Sequence, residues 1–425
     1  MDLDGGRWNL RKKRRRNRPG RVLLLVLLIT AALYVERVIV PRVPPPFIPT
    51  PTPTRSPASL LLEAETFFQA GKLSQAEESY QQALKVDPLN VMTFVDLARV
   101  QVFAGDYEAA QESASNALLL DPDSAHANAI AGWVLDFLAF EVQEPAERSE
   151  LINQALEKIE RAVAANSESA LIQAYYAEVL IDYDAADYED ALGAAQKAVQ
   201  IDPNLMEAQR ALGYVWESTG NYDQAIDAYQ VALRIHPNLA ILHVAVGNMY
   251  QALGDVDAAI DSYLRAVALD PTDPDPLTLI ASAEARRGNY GKASQYAADA
   301  VDKEPENPRL HGNLGRMYYK NNELDKALVS LRLAVQGGQL ENGAVVEGLP
   351  LDPGDSRVLE FYYTYALALA KDGNCEMAGQ IFEALLRIAP DNEIVVANAE
   401  EGLRICDALV VEDQPAPEAE ASQTP

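Results

Sequence analysis

Apolar helical stretches recur along the chain at a fixed interval, and a proline marks the turn after most of them. A 34-residue interval separates the prolines within two runs, Pro88 and Pro122, then Pro203, Pro237, Pro271 and Pro305. This interval is the length of a helix-turn-helix unit. Alanine recurs throughout, whereas aromatic residues make up only 7% of the chain. The pattern predicts an all-α chain of closely packed, repeated helix pairs.

Small residues hold a fixed position in the first helix of nine predicted units: Ala64, Ala98, Gly132, Ala177, Gly213, Gly247, Ala281, Gly315 and Ala366. Alanine holds an equivalent position in the second helices: Ala76, Ala110, Ala155, Ala191, Ala225, Ala259, Ala293, Ala327 and Ala378. Four residues after each of these, bulky side chains recur, such as Tyr80, Tyr229, Tyr263 and Phe382. Small residues let two helices cross closely, and a large one fills the space between successive units.

This pattern resembles the tetratricopeptide repeat family over residues 57 to about 392. The resemblance implies a right-handed superhelical solenoid of about nine repeats, over residues 58–407, whose first helices line a concave groove for proteins or peptides. Six glycines are expected to form the turn inside a repeat, where a left-handed residue is often needed: Gly71, Gly105, Gly220, Gly254, Gly288 and Gly373.

The repeat spacing is broken at three places. About eleven extra residues near 141–150 are expected to lengthen the turn of the third unit, and about two more fall between Asp182 and Asp187. Residues 337–357, rich in glycine, proline and acidic side chains, form a predicted inserted loop, either functional or a tolerated surface insertion. A capping helix is expected over 394–405, followed by a disordered acidic tail over 408–425.

The amino-terminal region has a different pattern. Residues 1–21 hold nine basic side chains, and residues 22–40 are predicted to form a transmembrane signal-anchor helix of about 28 Å. The basic flank predicts a single-pass protein with a cytoplasmic N-terminus and an extracytoplasmic solenoid. Cleavage of a secretory signal, which would release a secreted protein, is the alternative. The proline-rich segment 41–57 is predicted to be a stiff linker.

The net charge of −28 argues against nucleic acid as a partner of the main body, because acidic surfaces repel phosphates. The four histidines are dispersed, and the sequence contains no phosphate-binding loop or nucleophile elbow. We therefore expect no catalytic residue, no cofactor, no metal and no small-molecule substrate. Cys375 and Cys406 are the only cysteines, and antiparallel packing of their helices predicts a disulfide in an oxidising compartment. Two buried free thiols are the alternative.

Function is expected on the surface that the repeats create. Mapped onto the family's groove, the N-terminal half contributes apolar side chains and the C-terminal half basic ones: Phe68, Phe103, Trp133 and Phe137, then Arg286, Arg316, Tyr319, Lys320 and Lys371. The basic end would suit an acidic segment. Local pairing of these cations with acids, and burial of Trp133 and Phe137 under the third unit's turn, are the alternatives.

The sequence thus predicts a membrane-tethered scaffold or adaptor of a bacterial cell envelope. The alternative is a regulatory or carrier subunit of a polysaccharide, glycan or secretion enzyme complex.

Overall fold

The computed structural model describes residues 19–39, 55–142, 144–186 and 188–412. The chain forms two compact units, Met1–Arg55 and Ser56–Pro425. Most of the basic segment, most of the proline-rich linker and the acidic tail beyond residue 412 lie outside the described residues.

The first unit contains helix α1 (Pro19–Tyr34), followed by a π-helical turn over Val35–Ile39. The α-helix has 16 residues, whereas a membrane-spanning helix needs about 20. It ends just before the charged pair Glu36 and Arg37. Among the helices of the described residues, none combines the length and the apolar character that crossing a bilayer requires. The transmembrane helix expected over 22–40 is therefore not supported.

In the described part of the second unit, nine helix pairs follow one another along the chain. Their bounds are α2 (Pro57–Gln69) and α3 (Leu73–Val86), α4 (Val91–Phe103) and α5 (Tyr107–Leu120), α6 (Ala125–Glu141) and α7 (Pro145–Ala165), α8 (Ala170–Tyr183) and α9 (Tyr188–Ile201), α10 (Met206–Ser218) and α11 (Tyr222–Ile235), α12 (Ala240–Leu253) and α13 (Val256–Leu269), α14 (Asp275–Arg286) and α15 (Tyr290–Lys303), α16 (Pro308–Lys320) and α17 (Leu324–Gln336), α18 (Ser356–Lys371) and α19 (Cys375–Ile388). Each helix packs on its pair partner and on the next pair. The predicted all-α repeat architecture is confirmed.

Close helix crossings depend on the small residues that the pattern singled out. A Cβ atom added at Gly213 would lie 2.8 Å from the ring of Tyr229, and one at Gly247 would lie 2.4 Å from the ring of Tyr263. Both tyrosines are at most 2% exposed. The glycine therefore leaves room for the aromatic ring, and the ring fills the space between the two helices.

The turns within the repeats also follow the prediction. All six glycines named for this position have φ between +72° and +86°, in the left-handed region. The eighth repeat uses Asn322 instead, with φ of +60°. Asparagine is one of the few residues that tolerate this conformation, so the turn is preserved without glycine.

The extra residues of the third repeat do not lengthen its turn, which corrects the sequence prediction. They extend the helices instead, because α6 has 17 residues and α7 has 21. Pro145 occupies the first turn of α7, where its missing N–H costs nothing. The Arg148 side chain donates to the carbonyl oxygens of Ala139 and Val142, 3.2 Å and 2.9 Å away, and so satisfies the end of α6.

The C-terminal insertion and cap differ from the prediction in their bounds. Between α17 and α18 the chain forms a hairpin of two short strands, β1 (Gly338–Gln339) and β2 (Val345–Val346). Helix α20 (Glu393–Glu412) packs on α18 and α19 and continues past residue 405. Part of the predicted tail is therefore helical.

Candidate functional site

The four aromatic residues predicted for the N-terminal groove lie together but are not on an open surface. The Phe68 and Phe103 ring centroids are 5.6 Å apart, as are those of Phe103 and Trp133, and Trp133 lies 5.1 Å from Phe137. Phe68, Phe103 and Trp133 are between 0% and 7% exposed, and Phe137 is half-buried. They form a core along the inner side of the repeats.

The first and second repeats also contact the fifth and sixth, and these contacts cover Phe68. The Phe68 ring lies 4.8 Å from that of His236, and the Asn238 amide donates to the carbonyl oxygen of Gln69 over 3.2 Å. Arg99 on α4 donates to Glu65 on α2 and to Glu207 on α10, over 3.2 Å and 3.3 Å. We call these contacts the seam.

A network of buried charged groups lies next to the aromatic core. One oxygen of Glu178 accepts from the Trp133 indole N–H, 2.6 Å away, and from Arg210. The Tyr214 hydroxyl donates to Asp182 over 2.7 Å. Tyr214 and Asp182, with Glu178 and Arg210, line a cavity of about 310 Å³.

Burial disfavours the charged form of the carboxyl groups in this network. Desolvation raises the pKa of Glu178 to about 7, although Arg210 and the Trp133 hydrogen bond oppose the rise. Burial raises the pKa of Asp182 to about 6, against the Tyr214 hydrogen bond. The pKa of Asp136 also lies well above its usual range, because of burial and the neighbouring Asp182. Glu178 and Asp182 therefore titrate closer to neutral pH than exposed carboxyl groups do.

The basic residues predicted for the C-terminal half do share one open pocket. Arg286, Arg316, Tyr319 and Lys320 line a pocket of about 430 Å³ between α14, α16 and α18. The Lys371 ammonium lies 4.3 Å from the centroid of the Tyr319 ring, at the pocket's edge. We call this the basic pocket.

The cations of the basic pocket differ in how they are paired. The Arg316 Nε atom lies 2.8 Å from Glu360, which also pairs with Arg357 at 2.8 Å. Arg286 and Lys320 are exposed and make no ion pair within the described residues. Local pairing therefore applies to Arg316 but leaves two cations for a partner.

Sequence reasoning missed part of this pocket. Arg357 was assigned to the inserted loop, but it lies in the first turn of α18, whose N-cap is Asp355. The Asp355 carboxylate accepts from the backbone N–H groups of Arg357 and Val358, so an Asp before an apolar run was the available signal. Asn398, from α20, reaches the pocket only through the packing of the cap.

The two cysteines join α19 to the capping helix. The structure bonds Cys375 Sγ to Cys406 Sγ, with Cα atoms 5.6 Å apart. Nearby, a Cβ atom added at Gly402 would lie 2.1 Å from the Phe382 ring, so the cap crosses α19 closely. Across the described residues, no three His, Cys, Asp or Glu side chains are grouped so that they could hold a metal ion.

The stacked helix pairs make this chain a helical-repeat protein. Models of the tetratricopeptide repeat match residues 67–132, 176–240, 278–341 and 359–392, and a related model, described as TPR repeat, matches 247–285. The chain is therefore a tetratricopeptide repeat protein, as the repeat pattern predicted. No curated protein matches the chain significantly.

Solved structures with a similar fold include human IFIT1. A monomeric mutant of IFIT1 with m7Gppp-AAAA is 16% identical, with a TM-score of 0.55, over 83% of this chain and 80% of that one. The IFIT1 dimer with PPP-AAAA is also 16% identical, with a TM-score of 0.53, over 82% of both chains. Yeast Tom70 is 15% identical, with a TM-score of 0.40, over 84% of this chain and 97% of that one. At such identities the likeness to IFIT1 shows the fold alone.

Proposed function

We propose that this protein is a protein-interaction scaffold that holds an acidic peptide segment in the basic pocket. The observation that carries the proposal is the exposure of Arg286 and Lys320, without ion-pair partners in the described residues, in a chain of net charge −28. Neighbouring acids could have neutralised these cations, as Glu360 does for Arg316. Their availability supports recognition of carboxylates.

The side chains that line the pocket suit a peptide segment. Tyr290, Tyr319 and Tyr363 contribute aromatic surface next to the cations. Tyrosine combines a large apolar face with a hydroxyl group, which favours peptide binding at an open surface. The Asn398 side chain adds a neutral hydrogen-bonding group from the cap.

The test measures binding of labelled peptides to the full chain by fluorescence anisotropy. A peptide rich in Asp and Glu should bind, and added salt should weaken its binding. The double variant Arg286→Glu/Lys320→Glu should weaken it by about tenfold or more, because hydrogen bonds to charged groups contribute roughly 1.5–3 kcal/mol each. Arg316 is left unchanged because its guanidinium is paired.

The matched control is Lys303→Glu/Arg387→Glu, which makes the same charge change at exposed residues of α15 and α19 outside the pocket. Equal weakening by both variants would reduce the effect to net charge and remove the basic pocket as the site. A short triphosphorylated RNA serves as a competing probe, because IFIT1 was solved with one. If the chain binds this RNA more tightly than the peptide, and the pocket variant does not, the ligand of the basic pocket is a nucleic acid rather than a peptide.

The membrane tether and the extracytoplasmic location remain part of the proposal. Their support is the sequence of residues 1–40, with nine basic residues before an apolar run, and the exposure of the α1 side chains from Val22 to Ile29. Protease added outside an intact cell membrane should degrade the solenoid, and carbonate extraction should leave the chain in the membrane fraction, so the two assays test both. A soluble chain that protease degrades only after lysis would contradict them.

The scaffold role is proposed without an enzymatic activity of its own. Cross-linking in the source cells, with the basic-pocket variant as control, would identify the partner. If the protein cross-links to an envelope polysaccharide enzyme or a secretion enzyme, and the basic-pocket variant does not, the role of a regulatory or carrier subunit would be favoured.

A further inference from the structure

The cavity lined by Glu178, Arg210 and Tyr214 is separate from the basic pocket and opposite to it in charge. Five carboxyl groups line it, from Asp136, Glu141, Glu178, Asp182 and Glu217, against the single guanidinium of Arg210. Its volume of about 310 Å³ lies at the lower end of the range typical of small-molecule sites.

Two carboxyl oxygens in this cavity have no hydrogen-bond donor within the described residues. They are Asp136 Oδ1 and Glu178 Oε1, and both residues are only 2% exposed. The other oxygen of Glu178 already accepts from Trp133 and Arg210, and Glu217 accepts from Tyr229. Asp182 accepts from Tyr214 and from the protonated form of Asp136. A buried oxygen without a donor is costly, so these two atoms show where donors are missing.

Aromatic side chains complete the walls and reach solvent. Tyr107 stacks on Phe137 with centroids 5.3 Å apart, and Phe140 is 52% exposed on the same helix face. All three line the cavity, so a ligand would enter along aromatic surface. The faces of aromatic rings attract alkyl chains and cations.

We propose that this cavity binds an organic cation whose ammonium or guanidinium head donates to Asp136 and Glu178. The head supplies donors for these two oxygens and a positive charge, which five carboxyl groups favour over an anion. Arg210, whose Nε also has no acceptor within the described residues, is the single cation of the lining. A bare metal ion fits less well, because no grouping of metal-ligand geometry occurs among the described residues. The head is either that of a free amine or that of a lysine or arginine side chain in a partner.

Calorimetric titration of the full 425-residue chain tests this with agmatine and putrescine, and with butanol as an uncharged control. At least one cationic probe should bind, butanol should not, and Asp136→Asn should weaken cation binding by about tenfold or more. The control is Asp123→Asn, the same change at an exposed residue just before α6. A short peptide with one central lysine, and its alanine counterpart, distinguish the two sources.

Binding of an amine assigns a free ligand, whereas binding of the lysine peptide alone assigns a partner's side chain. No binding of either, or equal binding by the two variants, overturns the proposal. A second readout does not depend on the variants. The cation should displace protons from partly protonated carboxyl groups at pH 7, so the apparent heat should change with the ionisation enthalpy of the buffer. Binding without proton release would also overturn it.

Discussion

In the first six repeats, which we call the closed half, Phe68, Phe103 and Trp133 on the inner side are buried. In the last three repeats, which we call the open half, the inward-facing cations surround a pocket that is exposed to solvent. The N-terminal half presents Phe68, Phe103 and Trp133 to its own inner side, and the seam then closes over them. The C-terminal half presents Arg286 and Lys320 at the equivalent face, and they stay in water. One repeat architecture thus produces a core in one half and a binding surface in the other, and the choice depends on the inward-facing side chains.

The largest expected effect comes from removing the centre of the closed half. Trp133→Ala should lower the free energy of unfolding by roughly 3–5 kcal/mol, because a fully buried ring would leave a cavity among Phe103, Phe137 and Tyr175. Tyr319→Ala in the open half should cost less than about 1 kcal/mol. Urea denaturation followed by circular dichroism measures both, and equal losses would contradict the comparison.

The open half should depend on its cap more than the closed half does. Cys375→Ala/Cys406→Ala should lower the free energy of unfolding by roughly 3–4 kcal/mol, from the entropy of a loop with a sequence separation of 31 residues. Hydrogen exchange should rise mainly in α18 to α20. Unchanged exchange in these helices, with an unchanged urea midpoint, would show that the cap holds without the bond.

The seam can be tested at one glycine. Gly71→Ala should destabilise the protein by roughly 2–3 kcal/mol, because φ is +72° and the new Cβ would lie 2.1 Å from the Asn238 carbonyl oxygen. The matched change Gly105→Ala has φ of +76° but no atom within 4 Å, and should cost about 1 kcal/mol. Only Gly71→Ala should speed amide hydrogen exchange around Phe68 and increase the quenching of Trp133 fluorescence. Identical effects would mean that the seam contributes nothing.

The two halves should respond to pH in opposite directions. The pKa of Glu178 is raised to about 7, so the native state holds more protons than the unfolded chain between about pH 4.5 and 7. Stability of the closed half should therefore fall as pH rises through this window. The pKa of Asp355 in the open half is lowered despite partial burial, by backbone hydrogen bonds and by Arg309, so its contribution is lost as pH falls.

Hydrogen exchange at pH 5 and 8, corrected for the intrinsic rate, should change in the closed half only, because the contribution of Asp355 is lost below its usual pKa of 3.8. Glu178→Gln should flatten the pH dependence of the closed half only. A closed half that is more stable at pH 8 than at pH 5 would contradict the assignment.

The sequence by itself determined the repeat and much of its local geometry. Small residues such as Gly213 and Gly247, and glycines such as Gly254 in the turns, act on neighbours in sequence or on the next helix. Such contacts repeat every 34 residues, so periodicity reveals them. The grouping of Arg286 with Lys320 followed from the same register.

Only the tertiary structure decided what the inner face does. The seam joins Phe68 to His236 and Arg99 to Glu207, across 168 and 108 residues, and depends on small rotations that accumulate over successive repeats. The sequence of a single repeat does not encode the accumulated rotation, so the repeat pattern cannot distinguish an open groove from a buried core. The carboxyl groups of Asp136 and Glu178 became a candidate site for the same reason: burial, which the three-dimensional fold alone imposes, left two of their oxygens without donors.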